Sequence, residues 1–397
     1  MVLIFFEKRG PMKTISKNKL LELAILSIAL LTAGNSAISG ILVFMQKDLA
    51  LSRESAEFLI TLSSIATIIA IALSESITRL IGMKKCVQIG IGLVFISGLI
   101  PVLYTTYWTI FISRIVLGFG VGLFNGHTAN YISALFTGEK RASLHGMRNS
   151  MEFIGQILLL VLAGLLIKIR WNLAFLAYLI ALPIFFFFQA YVRDVKEDQA
   201  SGRFFLNKQV IFYVFFAGIM IMNLTALTIR FPTIATKARG MNVNINAYMT
   251  LIPIFGMTSG FAFGPINKKL KSKTILMALL VYIISNLIIG LWGMNMLVYM
   301  IGMILNVFAL SMSTPYLFAE ASRFARGSQN RIINNLIFIG CNIGGFLSPF
   351  FINSIARLWK SESLTQAFTS FCLIYAGLFA LYFYEYLKVR AGRWTKQ

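Results

Sequence analysis

Charged side chains are scarce in this chain. Only 13% of the 397 residues are charged, whereas 58% are hydrophobic; in soluble domains about a quarter of the residues are charged. A soluble core could not hide so much apolar surface from water, but a lipid bilayer accepts it. The composition therefore excludes an ordinary soluble protein and predicts a membrane protein.

Residues that carry out catalysis are also few. The chain has 14 aspartates and glutamates, two histidines and three cysteines, and they are scattered, whereas an enzyme needs a clustered nucleophile, acid–base pair or metal-binding set. Cys86, Cys341 and Cys372 have neither metal-binding spacing nor a disulfide framework. The phosphate-binding loop of ATP-driven transporters is absent from the sequence. We therefore expect no enzymatic activity, no cofactor and no metal site.

Basic residues outnumber acidic ones and give a formal net charge of +22. They lie in short gaps between apolar runs, as in Lys84-Lys85, and not on a folded polar face of the kind that binds nucleic acid. Such loops suit the anionic inner leaflet of a membrane. We expect anionic lipids as partners and no nucleic acid. Segment 1–19 lacks the cleavage site of a signal peptide and is predicted to be a cytoplasmic tail.

Long apolar runs follow one another along the chain. A helix needs about 20 apolar residues to cross the hydrocarbon core, and these runs are too long and too continuous for the strands of a barrel. We predict twelve membrane-spanning helices, near residues 20–45, 56–78, 86–104, 108–134, 147–167, 171–192, 209–229, 246–266, 274–293, 296–318, 332–353 and 365–387.

The loop charges test this count, because lysine and arginine concentrate on the cytoplasmic side of a membrane. Arg114 lies within a span, and most of the other basic residues fall in the segments that cytoplasmic termini would place inside. A missed helix would invert every later loop and remove this contrast. We predict a plasma-membrane protein with both termini in the cytoplasm. The basic residues of the predicted outer segments are Lys47, Arg53, Lys168, Arg170, Arg230, Lys237, Arg239, Arg357 and Lys360.

An internal repeat divides the chain into two halves. A shift of about 185 residues places Phe153-Ile154-Gly155 on Phe338-Ile339-Gly340, and the polar stretch 193–208 separates the spans six and six. We predict an all-α protein with an N-terminal half at 1–192, a cytoplasmic linker at 193–208 and a C-terminal half at 209–397. Two parallel six-helix halves are a known transporter plan, with the substrate site between them.

Several motifs carry a family resemblance. The loop Ile77–Lys85, through its Gly82, Lys84 and Lys85, resembles the signature between helices 2 and 3 of the major facilitator superfamily, although the family's aspartate is absent. The run Arg114–Gly122 resembles the family's fourth-helix motif of an intramembrane arginine and closely spaced glycines. The resemblance implies the twelve-helix fold and the drug-efflux branch of Gram-positive bacteria. It also implies a gating role for the loop residues and for the acidic–basic pairs Glu139 with Arg141 and Glu320 with Arg323.

Four residues are candidates for proton coupling. Glu152 is the acid predicted to lie deepest; it either carries a proton or forms a helix-surface ion pair with Arg148, four residues earlier. Arg114 either takes part in coupling or is a buried strut beside Asn35. His127 either titrates near neutral pH or is only hydrogen-bonded.

Single amides within the spans are candidates for a substrate cavity. Such residues either line a pathway or hydrogen-bond across helices. They fall on spans that line the pathway in the resembled fold, which favours substrate contact for some of them. They are Asn35, Asn125, Asn223, Asn306 and Asn342.

The leading hypothesis from the sequence is export of a small molecule by a secondary active transporter that acts as a monomer. Its two halves would alternate access to a central site, and protons would drive antiport. Because acids within the spans are sparse, we expect a neutral or amphipathic substrate. Uptake or facilitated diffusion of a metabolite is an alternative, and a lipid-linked flippase is another.

Overall fold

The computed structural model describes residues 17–36, 38–195, 208–271, 273–322, 329–360 and 363–394. Twelve consecutive helical segments, here α1–α12, account for nearly all of them. The first six are α1 (17–48), α2 (Arg53–Ile81), α3 (Met83–Leu103), α4 (107–135), α5 (Gly138–Leu166) and α6 (171–191). The second six are α7 (Lys208–Arg239), α8 (245–270), α9 (Lys273–Trp292), α10 (Met296–Ser322), α11 (Gln329–Leu358) and α12 (Phe368–Trp394).

Length and composition agree with a membrane bundle. Eleven of these segments are long and apolar enough to cross a membrane, and α12 contributes a shorter apolar stretch, Phe368–Tyr384. Because lipid offers no hydrogen-bonding partner, a helix that satisfies its own backbone is the expected solution. The predicted fold class, an all-α membrane protein of twelve helices, is confirmed.

Two spans depart from regular α-helix. The middle of α1 (Ile28–Ser36) and the first half of α6 (Trp171–Ile180) are 3₁₀ helix. In addition, α4 is interrupted between Phe124 and His127. A 3₁₀ stretch within a helix often marks a hinge or a functional position. The 3₁₀ stretch of α1 and the interruption of α4 both border the central cavity described below.

The glycines of the α4 motif let neighbouring helices approach closely. A Cβ atom built on Gly118 would collide with the backbone of Ser63 on α2, and one on Gly120 would lie 2.7 Å from the backbone oxygen of Gly90 on α3. Small residues are the usual means of close helix contact in membranes. The motif therefore has a clear packing role in this chain.

The two halves meet mainly along two pairs of helices, and α1 also contacts α7 and α8. α2 packs against α11, and α5 packs against α8. We call the end of the bundle away from Lys17 and Trp394 the outer end. Of the predicted linker, the structure describes Arg193, Asp194 and Val195 and the first residue of α7; residues 196–207 lie outside the described residues.

Candidate functional site

A cavity of about 230 Å³ lies between the halves, near the middle of the bundle. Four helices of the N-terminal half and α11 of the C-terminal half form its walls. Its lining residues are Thr32 and Ala33 of α1, Thr67 of α2, Val121 and Asn125 of α4, Glu152, Phe153 and Gln156 of α5, and Phe338 and Asn342 of α11.

The polar groups of the cavity suit a hydrogen-bonding solute. The hydroxyls of Thr32 and Thr67 donate to the backbone oxygens of Ala29 (2.7 Å) and Ser63 (2.9 Å), which leaves their lone pairs to accept. Asn342 donates one amide hydrogen to the backbone oxygen of Phe338 and keeps its side-chain oxygen for another partner. Two of the predicted cavity amides, Asn125 and Asn342, therefore do line a cavity.

Glu152 lines this cavity as half of an ion pair. Its Oε1 lies 2.7 Å from Arg148 Nη2, and its side chain is 33% exposed whereas that of Arg148 is 10% exposed. The helix-surface pair that the spacing allowed is present. Glu57 is more buried than Glu152, but it lies only four residues from the outer start of α2, so the prediction that Glu152 lies deepest within a span stays a prediction. The pair also cancels the charge of the cavity wall.

Arg114 is fully buried beside the cavity and is held by aromatic side chains. Its Nη1 donates to the hydroxyl of Tyr178 (3.2 Å), and its guanidinium lies 5.2 Å from the ring centre of Phe175 and 5.4 Å from that of Tyr178. The Tyr178 hydroxyl donates in turn to the backbone oxygen of Gly34. Nε and Nη2 have no hydrogen-bond partner among the described residues. Arg114 thus connects α4, α6 and α1; the side chain of Asn35 lies outside what the structure describes.

His127 lies on the inner side of the cavity, in a second polar pocket. Its Nε2 is 2.9 Å from the hydroxyl of Thr78, and its Nδ1 is 3.4 Å from the amide nitrogen of Asn130. The pocket has about 20 Å³ of space and is shared with Asn125 and with Asn335 of α11. The histidine is therefore hydrogen-bonded, one of its two predicted alternatives, at a place where the halves meet.

Asn223 and Asn306 do not line the central cavity. Both are fully buried within the C-terminal half. The amide of Asn223 donates to Asn286 Oδ1 (2.8 Å), and that of Asn306 donates to Asn223 Oδ1 (2.6 Å). These amides crosslink α7, α9 and α10, which is the packing role that the sequence left open for them.

A charged cluster that the sequence analysis missed joins the halves at the outer end. Glu57 of α2 lies 3.4 Å from Arg230 Nη1 of α7. Asn353 of α11 bridges them, because its oxygen accepts from Arg230 Nη2 (2.6 Å) and its nitrogen donates to Glu57 Oε2 (3.0 Å). All three side chains are buried. Next to the cluster an exposed ion pair of 2.6 Å joins Glu54 to Arg357.

Aromatic rings lie next to this cluster, and those of α11 are one and two turns inward from Asn353. Phe58 of α2 contacts Phe346 and Phe350 of α11 edge-on, with ring centres 6.2 and 6.1 Å apart. The rings and the charged cluster together close the space between α2 and α11 at the outer end. The central cavity lies on the inner side of both layers.

Comparison with known proteins decides the family. The model of the Major Facilitator Superfamily matches residues 24–349 of this sequence. The chain belongs to this superfamily. It is a family of membrane transporters, in agreement with the helix count and the cavity between the halves.

Relatives within the superfamily include sugar and peptide transporters. A D-xylose transporter of Levilactobacillus brevis is 25% identical over 144 residues, which are 35% of this chain and 32% of that protein, so the match spans about a third of the relative. The inward-open xylose transporter XylE from E. coli superposes with a TM-score of 0.71 at 16% identity, covering 92% of this chain and 95% of that one. A POT family transporter in complex with 5-aminolevulinic acid gives 0.75 at 12% identity, covering 92% and 95%. These structural likenesses show the fold; membership of the drug-efflux branch stays a prediction.

The superfamily's loop signature takes a defined shape in this chain. Gly82 has φ +87°, which favours glycine, and a Cβ there would lie 2.5 Å from Asp194 Oδ2. That carboxylate accepts from the backbone nitrogen of Lys84 (3.0 Å), and Lys84 Nζ donates to the backbone oxygen of Gln189 (2.9 Å). The negative charge thus lies at the N-terminus of α3, where the helix dipole favours it. Lys85 is exposed.

The other predicted gating residues are only partly described. Glu139 and Arg141 are exposed at the start of α5, where the neighbouring Lys140 pairs with Glu22 of α1 (2.6 Å). Glu320 is half-buried near the end of α10, and Arg323 lies outside the described residues. The gating role of the two acidic–basic pairs therefore stays a prediction.

Proposed function

We propose that this chain is a secondary transporter that moves a small, neutral, hydrogen-bonding molecule by alternating access. The observation that carries the proposal is the central cavity between the halves, which lies on the inner side of a closed outer end. Opening one end while closing the other would expose this cavity to each side of the membrane in turn, as transporters built from two repeats do.

The cavity wall supports a neutral substrate. Its acid, Glu152, is already paired with Arg148, so the site has no uncompensated charge to offer an ion. Three carboxamides, of Asn125, Gln156 and Asn342, can each donate and accept hydrogen bonds. The rings of Phe153 and Phe338 supply apolar faces, a combination that is typical of small-molecule sites.

The direction that we propose is export across the plasma membrane, driven by proton antiport. The distribution of lysine and arginine supports cytoplasmic termini, which place the cavity on the cytoplasmic side of the closed outer end. A single chain contains both walls of the cavity, which supports a monomeric transporter. The basic loops between the spans support contact with anionic lipids.

Uptake of a sugar is the second candidate. A relative named as a D-xylose transporter favours it, and a pentose has the hydroxyls that three carboxamides and two threonine hydroxyls would bind. Export by antiport and uptake by symport use the same cavity and the same proton gradient, and they differ in whether the solute moves opposite to the proton or with it.

Proteoliposomes containing the purified protein test the proposal. The rate of entry of labelled D-xylose and of a panel of neutral, cationic and anionic compounds is measured with and without an imposed pH gradient of each sign. We expect neutral solutes to be transported, and we expect the rate to follow the pH gradient. Asn342→Ala is expected to lower the rate, whereas Asn242→Ala, on an exposed loop, is the matched control. Entry no faster than into protein-free liposomes for every compound would reject the transport function.

A further inference from the structure

The buried charged cluster at the outer end consists of Glu57, Asn353 and Arg230, and we call it the outer latch. Glu57 lies four residues, or about 6 Å of helix, from the outer start of α2. It belongs to the N-terminal half, whereas Asn353 and Arg230 belong to α11 and α7 of the C-terminal half. Each contact of Glu57 with these two residues therefore spans the boundary between the halves.

Separation of the halves at the outer end must break every one of these contacts. The Glu57–Arg230 pair and the hydrogen bond from Asn353 to Glu57 cross the interface, so neither can persist when α2 moves away from α7 and α11. The hydrogen bond between Arg230 and Asn353 lies within the C-terminal half and holds these two residues together as one side of the contact. The side chains of Glu57 and Arg230 are 0% and 3% exposed. In such surroundings two opposite charges interact more strongly than in water.

The charge balance explains why the contact depends on both partners. Arg53, one turn before Glu57, brings a second cation to within 3.9 Å of Glu57 Oε1. Loss of the Glu57 charge would leave Arg230 buried with no acid beside it, and an uncompensated buried charge strongly disfavours the closed arrangement. Loss of both charges would leave no buried charge without a partner, because the remaining cation, Arg53, is 37% exposed, and the interface can still pack. The exposed Glu54–Arg357 pair, in contact with water, contributes far less.

We propose that Glu57, Asn353 and Arg230 form a charge-dependent latch that holds the transporter closed at its outer end and sets how often that end opens. The proposal rests on alternating access as the proposed function, but its test needs no substrate. The latch acts on the resting equilibrium of the empty transporter. Its two charged members matter as a pair, and Asn353 serves as the bridge between them.

Spin labels across the outer end provide the test. Labels are attached to Ile169→Cys, three residues beyond the end of α5, and to Leu358→Cys at the end of α11, positions that are 71% and 75% exposed. The background carries Cys86→Ala, Cys341→Ala and Cys372→Ala. Pulsed electron resonance on the full chain in lipid nanodiscs then gives the ratio of long to short label distances.

In the latch as proposed, Glu57→Gln and Arg230→Gln each raise the ratio of open to closed molecules by at least about tenfold. The double variant Glu57→Gln/Arg230→Gln returns the ratio toward the wild-type value. The matched control Glu54→Gln changes it by less than about twofold, because that pair is exposed.

The exchange Glu57→Arg/Arg230→Glu covers the case in which a single variant does not fold. The amide of Asn353 can turn by half a rotation and offer its oxygen to the new arginine and its nitrogen to the new glutamate, so the exchanged protein should remain closed. Unchanged distances in both single variants overturn the latch. A double variant or an exchanged variant that is as open as the single variants also overturns it. Transport activity is measured separately, so loss of the latch and loss of the proposed function give different results.

Discussion

Gly40 and Asn246 offer a second way to shift the closed outer end. Asn246, at the start of α8, is 1% exposed and packs between Gly40 of α1 and Gly164 of α5, across the two halves. A Cβ on Gly40 would collide with the Asn246 side-chain oxygen and lie 2.8 Å from its Cγ. We therefore expect Gly40→Ala to disfavour the closed end.

The size of this effect follows from overpacking. An extra methyl group in a tightly packed site costs about 1–3 kcal/mol, and the outer end is packed at Gly40 only when it is closed. The ratio of open to closed molecules should rise by about 5- to 150-fold. Asn246→Ala should cancel the effect, because it removes the group that the methyl meets. It also removes a buried amide whose two polar atoms have no hydrogen-bond partner among the described residues.

The assay is the distance between labels at positions 169 and 358 in Gly40→Ala, Asn246→Ala and the double variant. Gly92→Ala is the control, because a Cβ there meets nothing within 4 Å. If the double variant is as open as Gly40→Ala alone, the collision with Asn246 is not what opens the outer end, and the prediction is wrong. An equal shift in Gly92→Ala would refute it as well.

Three further predictions concern single sites. Arg114→Met should keep or raise the thermal stability and abolish proton-driven transport. It removes a buried charge and two unpaired donors, whereas it loses one hydrogen bond to Tyr178 and the contacts of the guanidinium with two rings, which the methionine side chain can replace in part. A destabilised protein with normal coupling contradicts this. Asn306→Ala should lower the stability by about 1–3 kcal/mol in thermal unfolding, because it removes a donor to Asn223, with the KM for transport unchanged. Gly82→Ala should lower the melting temperature. Adding Asp194→Ala should recover only the part of the loss that comes from the collision of the new Cβ with the Asp194 carboxylate, because the positive φ remains unfavourable for alanine.

The sequence predicted the helices well because lipid imposes one simple rule on them. Long apolar runs must be helical, so the spans could be placed within several residues. The outer end of α7 was the clearest exception: Arg230 was assigned to a loop, whereas the helix runs on to Arg239. The last turns of α7 carry charged residues, which hydropathy assigns to a loop. Arg230 is buried by its contact with Glu57 of the other half, and the hydropathy of a single segment cannot reveal such a tertiary contact.

The same limit applies at the site. Asn125 and Asn342 line the cavity, whereas Asn223 and Asn306 turn toward neighbours in their own half. Glu152, which the sequence singled out for proton coupling, also lines the cavity. A polar residue within a span is expected at either place, and only packing decides between them.

Glu57 was missed because it lies near the margin of an apolar run, where a charge resembles a loop residue. Its partner Asn353 is 296 positions away along the chain. The sequence signal for Glu57 is its spacing from Glu54. The two acids are three residues apart and therefore lie on the same side of the helix, which indicates a helix that begins before Glu57.

Solute exchange is the most direct test of the claim that the solute crosses through the central cavity. Proteoliposomes are loaded with an unlabelled solute that the wild-type protein transports, and the entry of its labelled form is compared for the wild type and for Gln156→Trp, which would fill the cavity with an indole ring. We expect the Gln156→Trp protein to retain its fold and thermal stability but to exchange no solute. A correctly folded Gln156→Trp protein that exchanges solute at the wild-type rate would contradict it, because the solute would then cross by another route.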